Sequence, residues 1–183
     1  MVMKIVLALF FTLFLAAGVS AQQKKATTKK STAKKTATTK FSDNTFIANT
    51  ISSDLVEIEL GDYAEKYAAD PRVKTFGSTM IRDHRRTKTE LKSIATDKNM
   101  TVKDAMSAKD KARADALEKK KGAAFDKAYI DMMVNDHTKD VSELRKAGAL
   151  VKDNHLKELV RKAAILNQTH LAAAKELQAS IKK

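Results

Sequence analysis

The sequence predicts an all-α protein, four long amphipathic helices paired as two antiparallel hairpins with a long helical crossover between them. Three observations predict it. Five Gly, one Pro and few aromatics, beside abundant Ala, Lys, Leu and Glu, make a helix-forming composition. Large apolar residues recur at three- and four-residue spacing over four separate stretches. The junctions inside each hairpin are short, whereas residues 98–122 separate the second stretch from the third.

The chain begins with what reads as a secretory signal peptide over residues 1–21. Lys4 supplies the basic start, Ile5 to Leu15 the apolar run, and Val19-Ser20-Ala21 a small-residue cleavage site. That run is short for a bilayer span, which needs roughly 20 residues. Cleavage before Gln22 would leave an exported chain without a transmembrane helix, periplasmic and open to association with the outer membrane. Residues 22–40 are Lys, Thr, Ala, Ser and Gln in low-complexity order, with no apolar residue larger than Ala to offset the entropy of ordering, and are expected to be disordered.

The net charge of +13 belongs mostly to this part. Eight of the 35 basic residues and none of the 22 acidic ones lie in residues 1–40, so residues 41–183 carry a net charge of only +5. After export, the Lys-rich segment suits anionic polymers of the cell envelope rather than nucleic acid. The chain has no cysteine, which excludes disulfides, zinc–thiolate sites, iron–sulfur clusters, a cysteine nucleophile and lipidation at an N-terminal Cys.

The bundle domain is expected over 41–183. Ser42 or Asp43 can cap a first helix carrying Ile47, Ile51, Leu55 and Ile58 and ending near Ala69. Asp70-Pro71 is a helix-start signal, and the second helix, roughly 71–97, aligns Val73, Phe76, Met80, His84, Thr87, Leu91 and Ile94. Within the crossover, Thr101 to Lys121 has helix-forming residues but few large apolar ones, which predicts a short exposed helix ending by Gly122. A third long helix over about 123–148 aligns Phe125, Tyr129, Met133, His137, Val141 and Leu144. A fourth over about 153–181 aligns Leu156, Val160, Ala163, His170, Ala174 and Leu177. Two hairpins and a long crossover make the ferritin-like antiparallel four-helix bundle.

One motif recurs. Met80-Ile81-Arg82-Asp83-His84 returns fifty-three residues later as Met133-Val134-Asn135-Asp136-His137, and Glu90-Leu91-Lys92 returns as Glu143-Leu144-Arg145. Both histidines, and His170, stand at apolar-stripe positions where a bland helix would carry Leu. His155, near the start of the fourth helix, reads as a surface or capping residue. Measured from the first turn, His84 and a carboxylate of the first helix should be level. From the second turn, His137 and His170 differ by about five residues, roughly 7 Å.

Such a layer has a chemical use. Imidazole and carboxylate suit zinc, copper or iron, and facing helices of a bundle are where such sites are built. The expected ligands are His84, His137, His170 and Glu57, with Glu59 less favoured: periodicity alone does not separate the two, and the count from the first turn puts Glu57 level with His84. Met80 and Met133, one turn from the histidines, are weaker candidates that would favour a soft ion. Asp83 and Asp136 point about 100° from their neighbouring histidines and suit the role of acceptor for an imidazole on another helix. The alternative is a hydrogen-bonded polar core in a structural or interaction protein of the envelope.

Several segments together resemble a bacterial exported family, domain of unknown function 4142. They are Asp54-Leu-Val-Glu-Ile-Glu-Leu-Gly61, Asp70-Pro-Arg-Val-Lys-Thr-Phe76 with Met80 to His84, Phe125-Asp-Lys-Ala-Tyr129 with Met133 to His137, and Thr169-His170-Leu171. The resemblance spans about residues 42–181 and implies a ferritin-like bundle with Glu57, His84, His137 and His170 as its site positions. No activity follows from it. Di-iron sites of ferritin-like proteins need Glu-x-x-His, and here Ile81 and Val134 occupy the Glu positions. Ferroxidase activity is not expected. No Ser-His-Asp order, Gly-rich phosphate loop or carboxylate pair points to an enzyme.

Overall fold

A computed structural model describes residues 41–181; the expected signal peptide and Lys-rich segment lie outside the described residues. Five helices follow in order: α1 (Asp43–Tyr67), α2 (Pro71–Asp97), α3 (Ala108–Glu118), α4 (Gly122–Leu150) and α5 (Asn154–Ile181). Among the described residues no strand occurs, and no helix is long and apolar enough to cross a membrane.

Local chemistry sets the boundaries. The Ser42 side chain accepts from the Thr45 N–H to cap α1. Asp70 caps α2 by accepting from the Arg72 N–H, with Pro71 supplying a helix-ready φ at the first position. Asn99, at φ 53°, turns the chain out of α2 in the left-handed conformation that Asn tolerates. Gly122 does the corresponding work at φ 59° on the way into α4, so it starts that helix instead of closing the crossover. α4 runs through Gly148 to Leu150.

α1 packs on α2, α4 on α5, and α2 on α5. α3 lies against both α1 and α4, which also touch one another. Within the first hairpin, a Cβ on Gly61 would meet the Gly77 carbonyl oxygen at 2.8 Å. Only glycine lets α1 and α2 come so close there, one to two turns from the polar residues described below. The buried Asp126 carboxylate, from the second turn of α4, accepts from the Ala69 and Asp70 N–H groups and ties the α1–α2 turn to α4.

α3 is less exposed than its composition predicts. Ala114 and Leu117 are buried, and its ends are held by polar contacts. Ser52 of α1 donates to Asp110 (2.6 Å) and accepts from the Ser107 N–H (2.7 Å). Tyr63 donates to the backbone carbonyls of Glu118 and Lys120. Leu55 and Ile58, expected on the inner stripe of α1, are half-buried on the side facing Met106 and Glu118, while Val56 and Leu60 point into the core.

The core has three levels. Near the first turn, Val56, Leu60, Phe76, Met80, Phe125, Tyr129, Ile130 and Met133 form one apolar cluster. At the other end, Ile47, Ile51, Leu91, Leu144, Leu156 and Val160 form a second. On each of the four long helices the residues between the clusters are polar and buried: Asp54 and Glu57, then Asp83 and His84, then His137, then Asn167 and His170. Unpartnered, groups of this kind would cost several kcal/mol each, roughly 2–7 for a neutral one, so the hydrogen bonds of this level decide whether the fold tolerates it.

Candidate metal centre

The histidines come level because the turns lie where the register puts them. Asp54 faces His84 and Gly61 faces Gly77, which centres the first hairpin near residue 69. In the second hairpin, extension of α4 to Leu150 moves the turn later, and His137 and His170 meet at 3.3 Å between Nε2 and Nδ1. The expected 7 Å offset is gone. His155 is exposed at the start of α5.

Each imidazole has one nitrogen engaged outward and one turned in. His84 donates from Nδ1 to Asp54 Oδ1 at 2.8 Å. His137 donates from Nδ1 to the Met133 carbonyl at 3.0 Å, and His170 from Nε2 to Asp83 Oδ2 at 3.0 Å. Those bonds fix the ring orientations. The inward atoms are His84 Nε2, His137 Nε2 and His170 Nδ1, and each of these rings offers an atom within 4.8 Å of the others'. The three histidines could hold a metal ion.

Glu57 closes the group. Its Oε2 contacts His84 Nε2 and lies 3.8 Å from His137 Nε2. The contact with His84 lacks hydrogen-bond alignment, and both atoms are buried without a hydrogen-bond partner, as is Asp54 Oδ2. The Glu57 and His84 atoms are each costly to bury without a hydrogen bond, and the ion-pair contact between them offsets that cost in part.

Charge in the layer is strongly coupled. Burial raises the Glu57 carboxyl, but the facing histidines, His84 foremost, outweigh it and hold it at about 2. Burial lowers His84, yet Glu57 and Asp54 together carry it well above its ordinary value. His170 goes the other way: burial pulls it down to about 4, with its neighbours His84 and His137 adding to the effect against the Asp83 hydrogen bond. Asp54 is raised by burial despite His84, and Asp83 is lowered by Arg82 and His170 against its own burial.

The other candidate residues take distinct places. Glu59 is half-buried at the surface, 3.4 Å from Lys111. Met80 and Met133 are fully buried in the apolar cluster on the first-turn side. Asp83 accepts from His170 and is gripped by both guanidinium arms of Arg82 at 2.9 and 3.1 Å. Asp136 instead pairs with Arg113 of α3. Asp54 is the residue sequence reasoning missed. It follows Ile51 by three residues and precedes Glu57 by three, a spacing that puts it on the inner face, and a buried acid at that spacing was the available signal.

An all-helical chain with a buried level of three imidazoles, oriented by two carboxylates and a carbonyl, is the class that fold and site define. The chain matches domain of unknown function 4142 over residues 25–177 and belongs to that family. No curated protein and no solved structure matches it.

Proposed function

We propose that the chain is an exported, ferritin-like four-helix bundle that holds a single transition-metal ion. His84 Nε2, His137 Nε2 and His170 Nδ1 are the nitrogen donors, and Glu57 the oxygen donor. The observation that supports this best is the orientation of the rings: every outward nitrogen is engaged, and the inward ones converge on one another and on a carboxylate oxygen without a hydrogen-bond partner. His137 and His170 each direct their ring proton outward, so with one proton per ring their inward nitrogens face each other at 3.3 Å as two acceptors, which favours an ion between them over a purely structural layer.

Three nitrogens and one carboxylate suit zinc, copper or iron as a single ion. A bound ion of this kind would supply charge compensation for Glu57 and Asp54 and a Lewis-acidic centre. Storage, buffering or resistance in the periplasm is the role proposed, with the Lys-rich segment as a contact to anionic envelope polymers. No redox cycle is assigned, and two-iron chemistry is not proposed, since Ile81 and Val134 stand where a Glu-x-x-His motif would place its carboxylates.

Elemental analysis of protein purified from metal-supplemented medium is expected to give one ion per chain. Adding that ion to stripped protein should raise the melting temperature, as binding to the folded state requires. Ion-free protein whose melting temperature ignores zinc, copper and iron alike would sink the proposal.

A further inference from the structure

Building on the metal-binding reading, we infer that a hydrated divalent cation reaches the imidazole layer through the groove between α1 and α4, alongside α3, and that Asp140 steers it. The groove encloses about 330 Å³ and is lined by six carboxylates against three cations. Asp54, Glu57 and His84 all line it, and each carries a buried atom without a hydrogen-bond partner. Two of those atoms, Glu57 Oε2 and His84 Nε2, are donors of the site itself. The groove therefore leads from solvent to the unsatisfied side of the layer.

The cations of its wall are largely paired. Arg113 is taken up by Asp136 and Asp110, and Lys139 sits 3.6 Å from Glu143. Asp140 makes no ion pair among the described residues and stands on α4 one turn beyond Asp136. Carboxylates lining a low-dielectric cleft attract cations and raise their local concentration. An oxygen-rich wall can also replace the water shell of the ion stepwise before nitrogen ligands take over.

A second depression reaches the layer from the opposite side. It lies between α2 and α5, encloses about 490 Å³ and touches His170. Its wall has one acid, Glu176, and one base, Arg72, with Phe76, Ala173 and Leu177 between them. There a cation would meet the His170 edge already bonded to Asp83. Charge and the orphaned atoms both favour the α1–α4 side.

Stopped-flow uptake of Co(II) alone by stripped full-length protein at pH 8, above the value of about 7 to which burial raises Asp140 so that its carboxylate is charged, is followed by visible absorption and separates the two sides. Ser53→Trp plugs the α1–α4 groove, Ala173→Trp plugs the other, and Asp140→Lys reverses one charge without adding bulk at the layer. Ser53→Trp and Asp140→Lys are each expected to slow association roughly tenfold, with uptake in the parent falling as salt rises. Ala173→Trp should match the parent, and all should end at one Co(II) per chain. Melting curves of the stripped variants establish that each is folded, and Asp140→Lys keeps the test valid if Ser53→Trp is not. One Co(II) bound at unchanged rates in Ser53→Trp and Asp140→Lys, or slowing in Ala173→Trp alone, overturns the route and leaves the site standing. No Co(II), zinc, copper or iron bound by the parent overturns the site and the route together.

Discussion

The two copies of the Met-x-x-Asp-His motif occupy equivalent heights and do different things. Met80 and Met133 both enter the same apolar cluster, and His84 and His137 both enter the layer one turn above it. Their aspartates part company. Asp83, between α2 and α5, is 4 % exposed and orients His170, whereas Asp136, between α4 and α3, pairs with Arg113. The histidines also differ, because His84 sits against two buried carboxylates and His137 bonds a backbone carbonyl. A residue next to the inward one points about 100° away from it, so the neighbouring helix decides its role. Repetition in sequence reproduces what faces the core and not what faces the neighbour.

The two motifs differ most in energy at their histidines. His84→Leu leaves Asp54 and Glu57 as buried carboxylates without a cationic partner, and is expected to cost metal-free protein about 3–5 kcal/mol. His137→Leu replaces a fully buried ring by a side chain of similar volume, removing the bond to the Met133 carbonyl and the contact with His170 but leaving His84 against both carboxylates, so its cost should be about 1–3 kcal/mol, below that of His84→Leu. Both should abolish metal binding. Urea melts of the stripped variants read the difference, and equal losses of stability would mean that His84 does not carry the charge of the layer.

The aspartates come next. Asp83→Asn weakens the acceptor that sets His170 and is expected to lower metal affinity roughly 10–100-fold, while Asp136→Asn should change it by less than about threefold. Competition with a chelator of known affinity measures both. Indistinguishable variants would remove the asymmetry between the two motifs. Arg82 holds Asp83 from the surface, and Arg82→Ala should fall between these two, since the carboxylate remains but its grip is lost.

Much of this was legible in the residues themselves. α2 could be placed to the residue because Asp70-Pro71 starts it and a seven-residue stripe fills it. The layer could be seen because imidazoles at Leu positions are rare enough to stand out. What stayed hidden depended on register. A turn centred near residue 69 makes Asp54 level with His84, and no local signal distinguishes that from a centre one or two residues later. The burial of α3 was hidden for a related reason. Ala114 and Leu117 are too few to mark an apolar face, and its remaining contacts are polar bonds to α1 and α4.

The smallest effect separates His170 from a third acid on the α4 side of the layer. Metal-free, His170 titrates at about 4 instead of 6.5, so the unfolded chain binds the extra proton between those values and stability falls as pH falls through that window. Asp140, raised to about 7 from 3.8 by burial and by Glu57 and Asp136, holds its proton in the folded state, and stability falls as pH rises across nearly the same window. The two oppose each other, and Asp54, Asp136 and Glu118, also raised by burial, add to the Asp140 arm, so the parent should lose stability as pH rises from 4 to 6.5. Asp140→Asn removes a large part of that arm, so its loss across the window should be smaller than the parent's. His170→Gln removes the opposing arm and should make the loss steeper than the parent's. Glu57 adds stability above 4.5 that is lost as pH falls through about 2, and His84 adds stability below 6.5 that is lost as pH rises through its raised value, so neither tilts the window itself. Parallel profiles for the parent and both variants would show that the layer and the α1–α4 groove titrate independently of folding, and the electrostatic coupling between them would have to be abandoned.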